Sequence, residues 1–437
     1  MRLNSLLKIC FGFLLFLTVS SCTKNETSEI KTGSVIFIHP DGAGAAKWGA
    51  FRMIEKGPDS LLNWDKFDNI GLYRGHILDA ASTSSNAGAT IHAFGIKADY
   101  GAFGINTKNP IKSLSGKDYG IMVEAQKAGM AVGVINSGHI CEPGSAVFLA
   151  NAANRNMTDT ISEQIIKSGA EVILSGGETL LLPEGEIGKH GKPGVRKDGK
   201  NIIKLAEELG YTVVYTRDEL LKLSVKTEKV LGVFAAVHTF NDLTEEELAE
   251  KELPLYNDNA PSLAEMTDFA LKFLKNKGKR FFLVVEEEGS DNFSNHMNAS
   301  GAFESLRRAD ESFGTVMNFI DENPNTMLIT CSDSEAGGLQ IASVRNSEDF
   351  NKPLPDRSSS GAELDGINGT NSLPFIAKPD KNGREFRFGV SWATSSDVFG
   401  AVLAKTYGLN SNLLKNNTDN TDIYRIMYAT LFGKMLP

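Results

Sequence analysis

Short apolar runs recur along the chain, and between them lie longer stretches with apolar residues three or four positions apart. Runs of that length suit buried strands, whereas the longer spacing suits helices with one apolar face. The runs predict strands at SVIFI (34–38), AVGVI (131–135), EVILS (171–175), TVVY (212–215), VLGVFA (230–235), FFLVVE (281–286), TMLITC (326–331) and FRFGVS (386–391). The periodic stretches predict helices over 119–129, 159–168, 201–209, 262–276, 301–321, 396–407 and 421–432. Alternation of the two kinds predicts an α/β fold, a three-layer sandwich whose large, mostly parallel sheet carries helices on both faces. Residues 343–385, rich in Ser, Asn, Gly, Asp and Pro, lack periodicity and predict a long surface excursion.

The start of the chain follows a different rule. Arg2 and Lys8 flank or interrupt an apolar stretch that runs to Val19, with small residues after it, the layout of an export signal rather than a spanning helix. The run TVSSC resembles a bacterial lipoprotein signal, which makes 1–21 the cleaved segment, Cys22 the lipid-bearing residue, 22–32 a tether and 33–437 one folded domain. The expected placement is the cell envelope, with membrane contact through the lipid on Cys22. Without Arg2 and Lys8, 43 basic residues face 54 acidic ones, a net charge of −11. So acidic a chain argues against nucleic acid as a partner. Cys141 and Cys331 both lie in apolar contexts that suit buried thiols, and a disulfide between them is left open.

Four predicted strands end in acid-bearing turns: FIHPDGAG with Asp41, VVEEEGSD with Glu286 and Asp291, TCSDSEAGG with Asp333, and VINSGHICE with Glu142. One such acid is ordinarily a turn or cap residue, but several together suit divalent cations, whose charge offsets the cost of gathering carboxylates. Glu287 is expected to face away from Glu286, because alternate strand residues share a side. His39 could reach a pocket rim, although a histidine at a strand end first suggests a structural hydrogen bond. His139 reads as a turn cap or as pocket lining. In DAASTSSNAGATIHAFG (79–95), a serine at the start of a small-residue helix would lie beside free backbone N–H groups and suit a phosphate; Ser85 fits, with Thr83 and Ser84 as rivals.

Taken in order, FIHPDGAG, SSNAGAT followed by GIK at 95–97, NRN at 154–156, VILSGGETLLLPEG, PSLAEMTDFAL, FFLVVEEEGSDNFSNH and SDSEAGGLQI resemble the motifs of the alkaline phosphatase family over roughly residues 33–408. The resemblance implies a phosphomonoesterase acting on small phosphorylated substrates, in which two zinc ions and a magnesium ion flank a serine that is phosphorylated and then hydrolysed. It places Ser85 on the nucleophile and Arg155 on the arginine that grips two phosphate oxygens. It places Asp41, Glu286, Asp291 and Asp333 on metal ligands, with Glu142, Asn295, His296 and Ser334 as further candidates. A homodimer is a further implication of the family.

The same resemblance implies zinc-binding histidines that are missing. Ser334 stands where one should follow Asp333, Asn295 stands where a second belongs with His296 one position late, and Ala393 takes the place of a third. All seven histidines lie at or before position 296, so no shift of register restores the last. Ser84, Glu142 and Gly144 also depart from the family pattern. The surviving donors are oxygens, including Ser85 and Asn295, which favour Mg²⁺, Mn²⁺ or Ca²⁺ over an intact dizinc centre. Two expectations follow: a metal-dependent phosphomonoester hydrolase working through a phosphoserine at Ser85, or an impaired relative that binds a phosphorylated or anionic ligand without turnover.

Overall fold

The computed structural model describes residues 29–106 and 109–437. The predicted signal, Cys22 and most of the tether lie outside the described residues. Ten strands form one sheet in the order Asn417–Asp419, Asn69–Arg74, Leu403–Gly408, Thr326–Thr330, Ser34–Pro40, Phe281–Glu287, Ala131–His139, Val172–Gly176, Lys229–Val233, Tyr211–Val214. Leu403–Gly408 runs against its two neighbours, and every other pairing is parallel.

Alternation along the strands builds two cores. Val35, Phe37, Val132, Val134, Phe282 and Val284 pack on one face against helices that include Ser85–Phe94 and Asn420–Phe432. Ile36, Ile38, Leu283, Val285 and Leu328 pack on the other face against Ala45–Glu55, Leu263–Asn276 and Ala299–Glu322. This is the three-layer arrangement that the apolar runs predict, and parallel strands buried on both sides are why those runs lack polar alternation. Among the described residues no helix is long and apolar enough to cross a membrane.

One expectation needs correction. Residues 396–407 are not helical: they form the short strand Asp397–Val398 and most of Leu403–Gly408. The second of these is inserted between two other strands, and β-branched Val402 and Thr406 with Gly400 and Gly408 favour that outcome over a helix. Within the expected excursion 343–385, Leu364–Gly366, Gly369–Thr370 and Phe375–Ile376 join Gln340–Val344 and Arg387–Ser391 at its two ends in a small antiparallel sheet. The predicted strand at 386–391 belongs to this small sheet and not to the large one.

Candidate metal and phosphate site

In a parallel sheet all strands deliver their carboxyl ends to one edge, which is where ligand sites of α/β folds form. Ser34–Pro40 there leads into Asp41, Phe281–Glu287 carries Glu286 and leads into Glu288 and Asp291, and Thr326–Thr330 leads into Asp333. Asp397 joins them from its short strand, which pairs with Glu335–Ala336 so that Ala336 lies opposite Asp397. Ligand-type atoms of His39, Asp41 and Glu286 lie within 4.8 Å of one another, and so do those of Asp41, Glu288 and Asp291.

These groups crowd each other. Both Asp41 carboxylate oxygens, both of Asp333, one each of Glu286, Glu288, Asp291 and Asp397, and Ser334 Oγ are buried without a hydrogen-bond partner. Burial, then the charges of Asp41 and other carboxylates, pushes Asp333 well above the usual carboxylate range. Asp291 is raised in the same way by burial and by Asp397 and Asp41. Glu288 is raised by burial and by Glu142 and Glu286. Glu286 is pushed up to about 7 by burial against the pull of His39. Asp41 is the exception: burial would raise it, but the His39 ring 3.4 Å away and the charge of that ring hold it down to about 2. Unpartnered oxygens that repel one another are what divalent cations satisfy, so the donor set fits them.

His39 is the nitrogen in this set. It lies near the end of the strand Ser34–Pro40, two positions before Asp41, and its ring reaches the same acids. Its Nδ1–H donates to the Cys331 carbonyl at 2.9 Å, which leaves Nε2 3.4 Å from Asp41 and 3.9 Å from Asp333. His39 therefore makes the structural hydrogen bond and also turns Nε2 toward the acids.

The Ser85 helix begins beside Asp333. Ser84 is its N-cap, accepting from the Ala87 N–H, which leaves the Ser85 hydroxyl at the first helical position free of that duty. Gly88, one turn on and on the same face as Ser85, fits against Asp333 so closely that a Cβ there would fall 2.4 Å from Asp333 Cβ. Arg155 is partly exposed, and its Nη2 lies 3.3 Å from Glu142 Oε2.

The remaining predicted residues divide. Asn295 Nδ2 donates to Asp291 at 2.8 Å, and its Oδ1 is buried without a partner. Ser334 is buried beside Asp333, its hydroxyl without a hydrogen-bond partner. His296 is exposed and bonds the Asn292 carbonyl, outside the acidic cluster. Glu142 turns to His139 and His238. Glu287 faces away, accepting from Ser137 and Tyr256 at 2.7 Å each. Cys141 and Cys331 are buried free thiols.

Sequence reasoning missed Lys47, Asp397 and His238. Lys47 is fully buried and offers its ammonium to the carbonyls of Gly42, Ser290 and Ala336 at 2.8, 3.3 and 3.2 Å and to Ser294 Oγ. Only its position six residues after Asp41, in the first turn of Ala45–Glu55, hinted at this. Asp397 was hidden by the mistaken helix, and His238 by lying in an irregular loop after Lys229–Val233.

Gly144 marks how tightly the site is drawn: a Cβ there would fall 1.9 Å from Glu286 Oε1. Gly144→Ala is expected to turn Glu286 out of place and weaken Mn²⁺ binding about tenfold or more, read by calorimetric titration of the metal-free protein.

Comparison with known proteins agrees with this geometry. The family described as alkaline phosphatase matches residues 32–431. The membrane-bound alkaline phosphatase of Bombyx mori is 24% identical over 416 residues, covering 86% of this chain and 72% of the relative. The repressible alkaline phosphatase of Saccharomyces cerevisiae is 29% identical over 359 residues, covering 76% of this chain and 60% of the relative. Among solved structures, that of the Thermus thermophilus alkaline phosphatase superposes with a TM-score of 0.73 at 22% identity, covering 97% of this chain and 96% of the other, which shows a shared fold. With the family matched across nearly its whole described length, the chain belongs to the alkaline phosphatase family of phosphomonoester hydrolases.

Proposed function

We propose that this protein hydrolyses small phosphomonoesters through a phosphoserine at Ser85, with divalent metal ions held by Asp41, Glu286, Glu288, Asp291 and Asp333. The observation that carries this reading is the convergence of buried, unpartnered carboxylate oxygens from separate strand ends next to the start of the Ser85 helix. Bound there, such ions supply positive charge that lowers the pKa of a hydroxyl and stabilises a departing oxygen. The chain's own groups do the rest. The free N–H groups and dipole at the Ser85 helix start hold the phosphate, and the planar fork of Arg155 grips two of its oxygens. Ser85 Oγ forms the bond to phosphorus as the ester oxygen leaves, and water then cleaves the phosphoserine to restore the hydroxyl and release phosphate.

The donors also suggest which metals serve. Aspartate, glutamate, asparagine and serine oxygens suit Mg²⁺, Mn²⁺ or Ca²⁺, whereas Zn²⁺ would find one nitrogen there, on His39. Stripping the protein with a chelator and reloading it with each ion separately is expected to restore aryl phosphate hydrolysis best with Mg²⁺ or Mn²⁺. Ser334, Asn295 and Ala393, in the places where the family resemblance implies imidazoles, support a second reading in which the site binds an anion without turnover. Phosphate binding with no hydrolysis under any ion would favour that reading. Export and lipid anchoring through Cys22 remain part of the proposal on the pattern of the first 22 residues, and a homodimer on the family resemblance.

A further inference from the structure

Glu142, a further candidate ligand from the sequence, turns its carboxylate to two histidines. His139 Nε2 lies 3.0 Å and His238 Nε2 3.2 Å from the same oxygen, Glu142 Oε1. The three ligand-type atoms lie within 4.8 Å of one another, and the two imidazole rings are 5.1 Å apart. Three donors placed about 2.1 Å from one transition-metal ion stand roughly 3.0–3.4 Å from each other, the separation seen here from each nitrogen to the oxygen.

The surroundings favour a cation as well. Asp242 Oδ2 lies 3.6 Å from His238 Nδ1, on the side of the ring away from Glu142, where its charge favours a cation at the ring. Asn292 Nδ2 holds that carboxylate at 3.3 Å. His139 Nδ1 is buried with no partner. Glu142, Asp242 and the nearby Glu288 bring three carboxyl groups to a region where Arg155 is the cation paired with Glu142. On its outer side His238 lines a cavity of about 740 Å³, an entry route for an ion.

We propose that His139, Glu142 and His238 form a second divalent-metal site, separate from the acidic centre, that takes a nitrogen-seeking transition-metal ion such as Zn²⁺ or Co²⁺. Two imidazoles and one carboxylate are borderline donors, unlike the all-oxygen majority around Asp41. An ion there would fix Glu142, and through Glu142 the guanidinium of Arg155. The chain thus divides its donors between a hard site and a softer one.

The test is a titration of Co²⁺ into the full metal-stripped protein, followed by calorimetry and by the visible absorption of the bound ion. The wild type is expected to show one Co²⁺ equivalent with the spectrum of nitrogen ligation. His238→Ala and His139→Gln should each weaken that equivalent by roughly a hundredfold or more. The double variant Asp41→Asn, Asp333→Asn should retain it. Unchanged stoichiometry and spectrum in a folded histidine variant would overturn the proposal and leave the cluster as an ion network around a charged His238. Loss of the same equivalent in the double aspartate variant would overturn it too, because the histidines would then belong to the acidic centre. Because the readout is metal content, its failure is distinguishable from failure of the phosphatase reading.

Discussion

Ser85→Ala is expected to lower aryl phosphate turnover by about a thousandfold or more while metal content stays at the wild-type level. The reason lies in the placement of the residue. Ser84 takes the capping bond and Gly88 seats the helix on Asp333, so removing the Ser85 hydroxyl deletes the attacking oxygen without loosening the helix. Acid quenching of the wild type during turnover should trap phosphate on the protein, and the variant should trap none. A variant that kept more than about a tenth of the rate would remove Ser85 from the chemistry, since an enzyme that loses its nucleophile falls much further than that.

Lys47→Met carries the largest expected effect on stability, a loss of about 3 kcal/mol or more in urea unfolding. The thioether fills similar space but donates nothing, so the carbonyl of Ala336 loses a buried donor, the carbonyls of Gly42 and Ser290 each keep one other donor, and Ser294 Oγ loses its cation. Each orphaned buried acceptor costs about 1–3 kcal/mol. The cation also faces Asp291, Glu335, Asp397 and Asp41, whose charges partly offset the burial that lowers its own pKa to about 8. Since the three carbonyls belong to the segments that carry Asp41, Asp291 and Asp333, the variant should also bind metal less well. A change in midpoint below about 1 kcal/mol would mean that the acceptors find other donors.

Much of this arrangement was legible in the sequence because the fold is repetitive and the site follows from it. Buried parallel strands write themselves as plain apolar runs, and seven of the eight predicted strands lie in the large sheet. Once the runs are read, the acids at their ends are placed by topology, which is how Asp41, Glu286, Asp291 and Asp333 could be gathered from distant parts of the chain. What the sequence hid are residues whose position depends on pairing rather than on period. Leu403–Gly408 carries apolar residues at helix-like intervals, and only its insertion between two strands decides the matter. Misreading it concealed Asp397. Glu142 illustrates another limit: its segment was assigned correctly, but which way a carboxylate turns depends on His238, far away in sequence and in a loop without pattern. Lys47 is harder still, because a buried amine has no compositional signature beyond the acids that it compensates.

The edge of the large sheet bears on how the chain is made. Asn69–Arg74 is synthesised early, yet both its partners arrive near the end: Leu72 pairs with Leu403 on one side and with Asn417 on the other. Until then this strand is an open edge with unmet N–H and C=O groups, the kind of surface that recruits a wrong partner. Vectorial synthesis therefore cannot complete the sheet as it proceeds, and closure must wait for nearly the whole chain. Such long-range pairing slows folding and lengthens the exposure of the half-built edge. A nascent chain of this kind has a long interval in which it can be held open by a chaperone, a requirement set by strand order alone.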